Sequence, residues 1–352
     1  MKQIAVLATN SSISSDLFGL LDFFEYCNVL WRYQQGEQAA PLFHCYLVSP
    51  DGKPLILKQG VTLDVQPHNW QSADVLILPA AYAYSRAQLS TLAHQSSVYF
   101  AGLAQAQAQG SLIAAHCTGT FILAGSGLLE HKSATSSWFF KDVFQSLYPN
   151  VHLQLNKLLV QDGNLLTAGA TTAFMNLCLA LTERLVGEQF ARQIGKIMLT
   201  DPNRSSQIPY MDLSVGQPHT DLLIAQVQKH LLKSLAEPFA LEALAAQFHL
   251  TKRTLLRRFK AALNDTPLNY LQRLRVEHAK RLLETTNLPV EQIVLQVGYE
   301  DMSSFRKLFL NYTELSPSQY RHKFMLQDAP DCCPVSLATG NSEPAKRQYR
   351  FV

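Results

Sequence analysis

The chain has 352 residues, enough for two domains, because a single core rarely grows beyond about 250 residues. Hydrophobic residues make up 47% of it, yet no apolar run reaches the roughly 18 residues that a membrane span needs. The short apolar start is typical of a first strand rather than an export signal, so six scattered cysteines predict reduced thiols in a cytoplasm. A disulfide framework, a metal site, a cofactor and a membrane partner are not expected.

The net charge of +3 conceals an asymmetry along the chain. Residues 1–217 hold 12 Lys and Arg against 14 Asp and Glu, whereas residues 218–325 hold 15 against 10, a balance of +5. The positive excess thus lies in one short segment, as expected for a domain that binds a polyanion. Charge alone would fit a solvated surface equally well.

Apolar runs alternate with helical patterns from the start of the chain to about residue 197. Runs at residues 4–8, 43–48, 75–78 and 112–115 predict buried parallel strands, and helices are expected between them, as over residues 16–26 and 86–108. This alternation predicts an α/β doubly wound domain over residues 1–205. Residues 206–219, in a stretch rich in Pro, Ser, Asn and Gln, are expected to form a linker.

The most informative stretch of this first part surrounds Cys117. A buried strand is expected to end at His116, and a helix to begin near Thr118 and run to about residue 128. Cys117 would lie in a sharp turn, with Gly119 allowing close backbone packing, and the helix N–H groups would lower the pKa of the thiol, as in a nucleophile elbow. Catalysis would also need a base near the thiol. Otherwise Cys117 is a small residue that fills a tight turn.

The segment after residue 219 is helical in pattern and internally repeated. Residues 241–245 match residues 290–294, and residues 266–270 match residues 316–320. Each of the last two segments has a hydroxyl N-cap followed by Pro. We therefore predict two helix-turn-helix units in an all-α domain over residues 220–326. Residues 327–352 show no periodicity and are expected to be a disordered tail.

The second helix of each unit would present its outer face to double-stranded DNA. Thr251 would cap the first of these helices, whereas Gly298 would form the turn and Asp301 the cap of the second. The outward residues expected to contact phosphates and base edges are Lys252, Arg253, Leu256, Arg257 and Lys260 in the first helix, and Met302, Ser303, Arg306 and Lys307 in the second. The alternative is a helical bundle with merely solvated charges; tandem copies on a basic segment favour DNA binding.

The helix between the two units, residues 268–286, sets how far apart they can lie. It would span roughly 30 Å, close to the ~34 Å that separates successive major-groove faces. One chain could therefore contact two adjacent turns of DNA.

Residues 242–324 resemble the DNA-binding domain of the AraC/XylS family of bacterial regulators, most clearly over residues 298–305 and 316–321. That family usually has Gly after each recognition helix, where this chain has Asn264 and Glu314. Asn tolerates a left-handed conformation, but Glu adopts it poorly. We therefore expect the second recognition helix to end differently from the family shape.

Residues 1–209 resemble the PfpI-type, class I glutamine amidotransferase-like fold, which is flavodoxin-like, in the version fused to AraC-type domains in GlxA-like regulators. The resemblance lies in residues 117–119, 124–129, 134–138 and 166–170. Enzymes of that superfamily generally place His directly after the Cys, where this chain has Thr118. The fused regulators commonly have His before the Trp, where this chain has Ser137, and often Asp where this chain has Asn176. Without a histidine base at these positions, a sensor domain is favoured over a catalytic one. His116 could substitute as the base, but its place on the strand points it away from the Cys117 side.

The combined interpretation is a sequence-specific transcription regulator, found in the cytoplasm and on the nucleoid when bound to DNA, that is not an enzyme. The starts of the helices after Cys117 and Thr171 would meet at the C-terminal edge of the sheet and favour an anionic group. A small metabolite with a carboxylate is therefore the expected effector. Its candidate ligands are Asp16, Cys117, Thr118, Gly119, Ser137, Gly169 and Thr171.

The resemblance also implies that the chain forms a homodimer. Two alternatives stay open. The first is a hydrolase or amidase with Cys117 as nucleophile, and the second is a regulator whose α/β domain only dimerises.

Overall fold

The computed structural model describes residues 1–49, 51–67, 72–201, 203–213 and 219–325. The tail predicted at residues 327–352 lies outside these ranges. Two bodies of structure follow one another along the described chain, an α/β part and then an all-helical part.

The strands of the first part are short and largely buried. They are β1 (Lys2–Leu7), β2 (Phe43–Ser49), β3 (Leu55–Ile56), β4 (Thr62–Leu63), β5 (Gln66–Pro67), β6 (Val75–Leu78), β7 (Leu112–His116), β8 (Ser133–Ala134), β9 (His152–Leu153), β10 (Leu159–Asp162) and β11 (Leu165–Ala168). Within the described residues, seven of them form one sheet in the order β10-β11-β7-β6-β1-β2-β5. Every neighbouring pair is parallel except the edge pair β10–β11.

Helices cover both faces of this sheet. They are α1 (Ser14–Gln35), α2 (Arg86–Gln95), α3 (Phe100–Ala108), α4 (Gly119–Gly125), α5 (Lys141–Leu147), α6 (Phe174–Val186) and α7 (Glu188–Ile197). Along β1, Ile4 and Val6 pack with α1, α6 and α7, whereas Ala5 and Leu7 pack with α2 to α5. Both faces of the strand are buried, which explains its unbroken apolar sequence. The predicted doubly wound fold is confirmed.

Three helix boundaries in this part were predicted wrongly. The helix expected over residues 16–26 extends over Ser14–Gln35, and the other two helices are shorter than predicted. The helix expected over residues 86–108 is interrupted by a 3₁₀ turn at Ser96–Tyr99, where the Tyr99 hydroxyl donates to the Ala8 carbonyl across 3.2 Å. The helix after Cys117 ends at Gly125, because Gly127 adopts φ 82° and turns the chain away. In both places a local turn overrode a continuing helical pattern.

The second part consists of α8 (Leu222–Lys233), α9 (Leu241–Gln247), α10 (Lys252–Leu263), α11 (Pro267–Thr285), α12 (Val290–Gln296), α13 (Met302–Thr313) and α14 (Pro317–Phe324). They enclose a single apolar core to which both repeats contribute, through Leu255 and Phe259 of α10 and Phe305 and Phe309 of α13. The predicted N-caps are confirmed, since Thr251, Thr266, Asp301 and Ser316 each accept a backbone N–H of the helix that follows. Within the described ranges, no helix is long and apolar enough to cross a membrane.

Candidate functional site

Cys117 occupies a strained turn between β7 and α4. Its φ is 52°, in the left-handed region, and its backbone N–H donates to the carbonyls of Ala168 and Gly169 at 3.2 and 2.9 Å. A Cβ on Gly119 would lie 2.2 Å from the Leu78 carbonyl oxygen, so only glycine lets α4 start this close to β6. The predicted strand-to-helix turn is therefore present at the C-terminal edge of the sheet.

The thiol is enclosed by hydroxyl groups. The Sγ atom of Cys117 lies 3.9 Å from Oγ1 of Thr171 and also interacts with the Ser137 hydroxyl. Burial raises the pKa of the Cys117 thiol to about 11, against the opposing pull of the Thr118 backbone N–H and of the two hydroxyls. The lowered pKa expected from the helix N-terminus is wrong, because desolvation of the thiolate outweighs those hydrogen bonds. At neutral pH the group is a thiol.

Asp16 and His116 form a pair beneath this turn rather than a base for the thiol. Both side chains are fully buried, with Nε2 of His116 2.8 Å from Oδ2 of Asp16. The His116 ring also lies against Phe174, with centroids 6.0 Å apart. Asp16, a candidate effector ligand, is thus engaged with His116 inside the core.

The remaining candidates divide into lining and supporting residues. Ser137 and Thr171 lie beside the thiol. Thr118 is turned inward, with its hydroxyl bonded to the N–H and the carbonyl of Ala81 at 2.7 and 2.8 Å. Gly119 and Gly169 allow tight packing, the latter against Gln207. The structure therefore assembles Cys117, Ser137 and Thr171 at one point and places the other candidates behind it.

Gln207, which the sequence did not single out, contacts the same edge of the sheet. Gln207 is only 2% exposed. Its side-chain amide donates to the Thr135 hydroxyl at 3.1 Å and to the Ser136 carbonyl at 3.0 Å. It also accepts from the Ala170 N–H at 3.0 Å. Ser136 in turn donates to the Cys117 carbonyl at 2.7 Å. A lone Gln in a polar stretch gives no sequence signal for such burial.

The two helix-turn-helix units share their backbone turns. His249 and Gly298 stand at the same place in the two units, with φ values of 55° and 81°. Each recognition helix also ends on a left-handed residue, Asn264 at φ 53° and Glu314 at φ 57°, whose N–H donates four residues back. The expected departure at Glu314 is therefore wrong. The fold holds Glu in the conformation that the helix end requires.

The outer face of α10 carries unpaired arginines. Arg253 and Arg257 are exposed and have no hydrogen-bond or ion-pair partner among the described residues, and Leu256 beside them is 37% exposed. Lys252 forms an ion pair with Glu242, and Lys260 donates to the Asn264 carbonyl at 3.0 Å. Two of the predicted contact residues thus have no partner within the described ranges, whereas Lys252 and Lys260 each have an internal partner.

One further arginine of α10 has a structural role. Arg258 forms two hydrogen bonds, of 2.9 and 2.6 Å, to the carboxylate of Asp221. The same carboxylate caps α8. Arg258 therefore ties α10 to α8 and is not available to DNA.

The outer face of α13 is less basic. Ser303, Arg306 and Lys307 are exposed, whereas Met302 is half-buried and packs against the helical core. Between the two units, α11 has 19 residues and spans about 28 Å at 1.5 Å per residue. No cluster of metal-type ligands occurs in the part of the chain that the structure describes.

Comparison with known proteins identifies both parts. The family model described as DJ-1/PfpI family matches residues 4–184, and one described as helix-turn-helix domain matches residues 244–323. The HTH-type transcriptional regulator CdhR of Pseudomonas aeruginosa is 28% identical over 308 residues, which cover 87% of this chain and 89% of that protein. The regulator GbdR of the same species is 26% identical over 288 residues, covering 80% and 75%. A crystal structure of Drosophila melanogaster DJ-1beta gives a TM-score of 0.45 at 21% identity, covering 57% of this chain and 98% of that one.

Proposed function

This chain belongs to the DJ-1/PfpI family and carries a helix-turn-helix domain of the AraC type, and we infer that it is a sequence-specific, DNA-binding transcription regulator controlled by a small metabolite bound near Cys117. Two tandem, exposed recognition helices on a basic segment are the observation that carries this function. Relatives named as transcriptional regulators extend over most of its length.

The DNA contacts that we propose are those of the two exposed faces. Arg253 and Arg257 are suited to guanine O6 and N7 or to phosphates, because a guanidinium donates through two parallel N–H groups. Arg306 would do the same from α13, whereas the ammonium of Lys307 would contact phosphate as a point charge. Lys252, Leu256, Lys260, Met302 and Ser303 complete the proposed interface.

The α/β part is proposed to sense rather than to catalyse. A cysteine nucleophile needs a depressed pKa or an adjacent base, and here the pKa of Cys117 is raised to about 11 while His116 is occupied by Asp16. The hydroxyls of Ser137 and Thr171 and the Cys117 thiol are better suited to hydrogen-bond a polar metabolite. Because the regulator acts on the chromosome, we place it in the bacterial cytoplasm.

The test of the DNA-binding assignment separates the two parts. A fragment beginning near residue 218 should bind duplex DNA with an affinity that falls steeply with salt, because its +5 balance must displace counterions from phosphates. Residues 1–209 alone should not bind. Salt-insensitive binding, or binding by the N-terminal fragment, would overturn the assignment.

The test of sensing begins with a thermal-shift screen of amino acids, amines and carboxylates, since a ligand of the folded state raises its stability. Cys117→Ser should leave basal DNA affinity nearly unchanged and weaken the response to the metabolite found. Turnover of an amide or aldehyde by the wild type that is lost in Cys117→Ser would instead establish the hydrolase.

We also propose a homodimer formed through α1. Four large apolar side chains, Phe18, Tyr26, Val29 and Tyr33, are between 42% and 87% exposed, and their spacing puts them on one helix face. A row of this kind is typical of a protein–protein contact. Tyr26→Glu combined with Val29→Glu should convert a dimer into a monomer in light-scattering measurements. A wild-type monomer at all concentrations would refute the dimer.

A further inference from the structure

Residues 204–211 run along the edge of the sheet that holds Cys117. The Leu158 N–H donates to the Ser205 carbonyl at 2.7 Å, and Gln207 then enters the protein as described above. Both of its partners Ser136 and Ala170 adjoin the Cys117 site. Ser136 donates a hydrogen bond to the Cys117 carbonyl, and Ala170 directly precedes Thr171, whose hydroxyl lies beside the thiol. This segment is therefore fixed to the walls of the Cys117 site, although its sequence predicted a linker.

A few residues further on, the same segment is fixed to the DNA-binding helices. The Met211 carbonyl accepts a hydrogen bond of 2.5 Å from the ammonium of Lys280 in α11, a residue only 4% exposed. The Leu213 N–H donates to Glu277 of the same helix at 3.2 Å. Tyr210 packs edge-on against Phe324 of α14, with ring centroids 5.1 Å apart. The segment thus contacts the helix that joins the two helix-turn-helix units.

Arg204 brings a positive charge to the start of this segment. Its guanidinium donates to the Thr172 hydroxyl at 3.0 Å, beside Thr171, and it lies 4.7 Å from the centroid of the Tyr210 ring. Its Nε atom is shielded from solvent without a hydrogen-bond partner in the described structure. It forms no ion pair with a described carboxylate. Arg204 is therefore a cation between the Cys117 site and Tyr210 whose charge is not neutralised by a described carboxylate.

We propose that residues 204–213 form a coupling strap between the Cys117 site and the DNA-binding helices, and that Arg204 binds the carboxylate of the effector. This rests on the proposed sensing function and adds to it the effector's chemical class and the route of control. A carboxylate at Arg204 would compete with Thr172 and the Tyr210 ring for the guanidinium. Tyr210 and the Lys280 and Glu277 contacts would then shift together relative to α11 and α14.

The coupling can be tested without the effector, because linkage is reciprocal: if the site affects DNA affinity, DNA must affect the site. The probe is a duplex of about 30 base pairs, three helical turns, added to the full chain at low salt. Hydrogen exchange is followed in residues 131–137, 155–158 and 169–171, far from the recognition helices in sequence. We expect the duplex to slow exchange there by about fivefold or more.

Two strap variants should abolish this distant protection while keeping DNA affinity within about twofold. Gln207→Ala removes the contacts on the sheet side, and Lys280→Met removes the contact on the helix side while keeping the buried aliphatic stem. The control is Gln193→Ala, which removes an exposed Gln whose partner is Gln34. Protection that is missing in the wild type, or that survives in either strap variant, would overturn the coupling.

The role of Arg204 is tested with two reagents that differ in charge, iodoacetate and neutral iodoacetamide. Labelling of Cys117 in the full chain is measured by mass spectrometry at pH 9, and the ratio of the two rates is compared between proteins. Arg204→Gln should lower the iodoacetate-to-iodoacetamide ratio about fivefold, the effect of one nearby charge in water. Arg192→Gln, a cation of α7 paired with Glu188, is the matched control.

An unchanged ratio in Arg204→Gln would overturn the carboxylate contact. So would a Cys117 that iodoacetamide labels and iodoacetate does not, because a carboxylate could not then reach the site. Failure of the sensing function itself would look different: no metabolite would alter DNA affinity, although DNA-dependent protection could still be present.

Discussion

The two helix-turn-helix units are alike where the backbone is constrained and different where the surface is free. Both have a left-handed residue in the turn, at His249 and Gly298, and a left-handed residue at the end of the recognition helix, at Asn264 and Glu314. Their exposed faces differ, since α10 offers Arg253 and Arg257 whereas α13 offers Arg306 and Lys307. A repeated fold thus presents two chemically distinct surfaces, which would suit two different half-sites on DNA.

The largest effect on stability is expected at the turns of the two helix-turn-helix units. Both turn residues are left-handed, but only at Gly298 does neighbouring backbone occupy the place of a side chain. At Gly298 an added Cβ would lie 2.6 Å from the Ala236 carbonyl oxygen, at φ 81°. Gly298→Ala should lower the free energy of unfolding by about 2–5 kcal/mol, from backbone strain together with overpacking. His249→Ala is the control, because His249 is exposed and already left-handed without a glycine. Equal midpoints in urea for the two variants would refute the distinction.

The next effect concerns affinity. Arg257→Ala should weaken binding to the cognate site by about 1–3 kcal/mol and relax discrimination at one base pair. Lys307→Ala, at the equivalent position of α13, should weaken binding by less. It should lower the affinity for duplexes of every sequence alike, because an ammonium contacts phosphate as a point charge. Equal losses of Arg257→Ala on cognate and random duplexes, measured by fluorescence anisotropy, would show that Arg257 contacts phosphate alone.

The caps provide a pH-dependent difference between the units. Hydrogen bonds from the Ser304 hydroxyl and from the Ser304 and Ser303 N–H groups lower the pKa of Asp301, whereas the cap of α10 is the uncharged Thr251. A lowered pKa means that the stabilisation is complete above the unfolded value, about 3.9, and is lost as the pH falls through the folded value.

Amide exchange at Ser303 and Ser304 should therefore accelerate, relative to its intrinsic rate, as the pH falls from about 5 to 3, while Thr254 remains protected. Thr251→Ala should lower the free energy of unfolding by about 1 kcal/mol at every pH. Loss of protection at both helix starts together would contradict a local effect of Asp301.

The smallest effect concerns the ends of the recognition helices. Glu314 adopts φ 57°. This left-handed conformation is higher in free energy for a residue with a Cβ than for glycine. Glu314→Gly should raise the free energy of unfolding by about 0.5–1 kcal/mol, and Asn264→Gly by less, because Asn tolerates this conformation. Thermal denaturation of both variants measures the difference. A destabilised Glu314→Gly would mean that Glu314 makes a favourable contact in the folded state.

The sequence predicted those features that depend on local pattern. Apolar runs gave the central strands, and a hydroxyl or carboxylate before a helix gave the caps at Thr251 and Asp301, because both signals are contained in a few neighbouring residues. The pKa of Cys117 could not be obtained in this way, because it depends on burial by distant segments. Gln207 was missed for the same reason: its five partners lie between 37 and 72 positions away.

The central claim, that two distinct recognition helices of one chain contact adjacent turns of DNA, can be tested by selecting binding sites from a random duplex pool. Wild type, Arg257→Ala and Arg306→Ala are selected in parallel. The wild type should enrich two different sequence blocks about one helical turn, roughly 10.5 base pairs, apart, and each variant should lose preference in one block only. A single block, or two variants that blur the same positions, would contradict the claim.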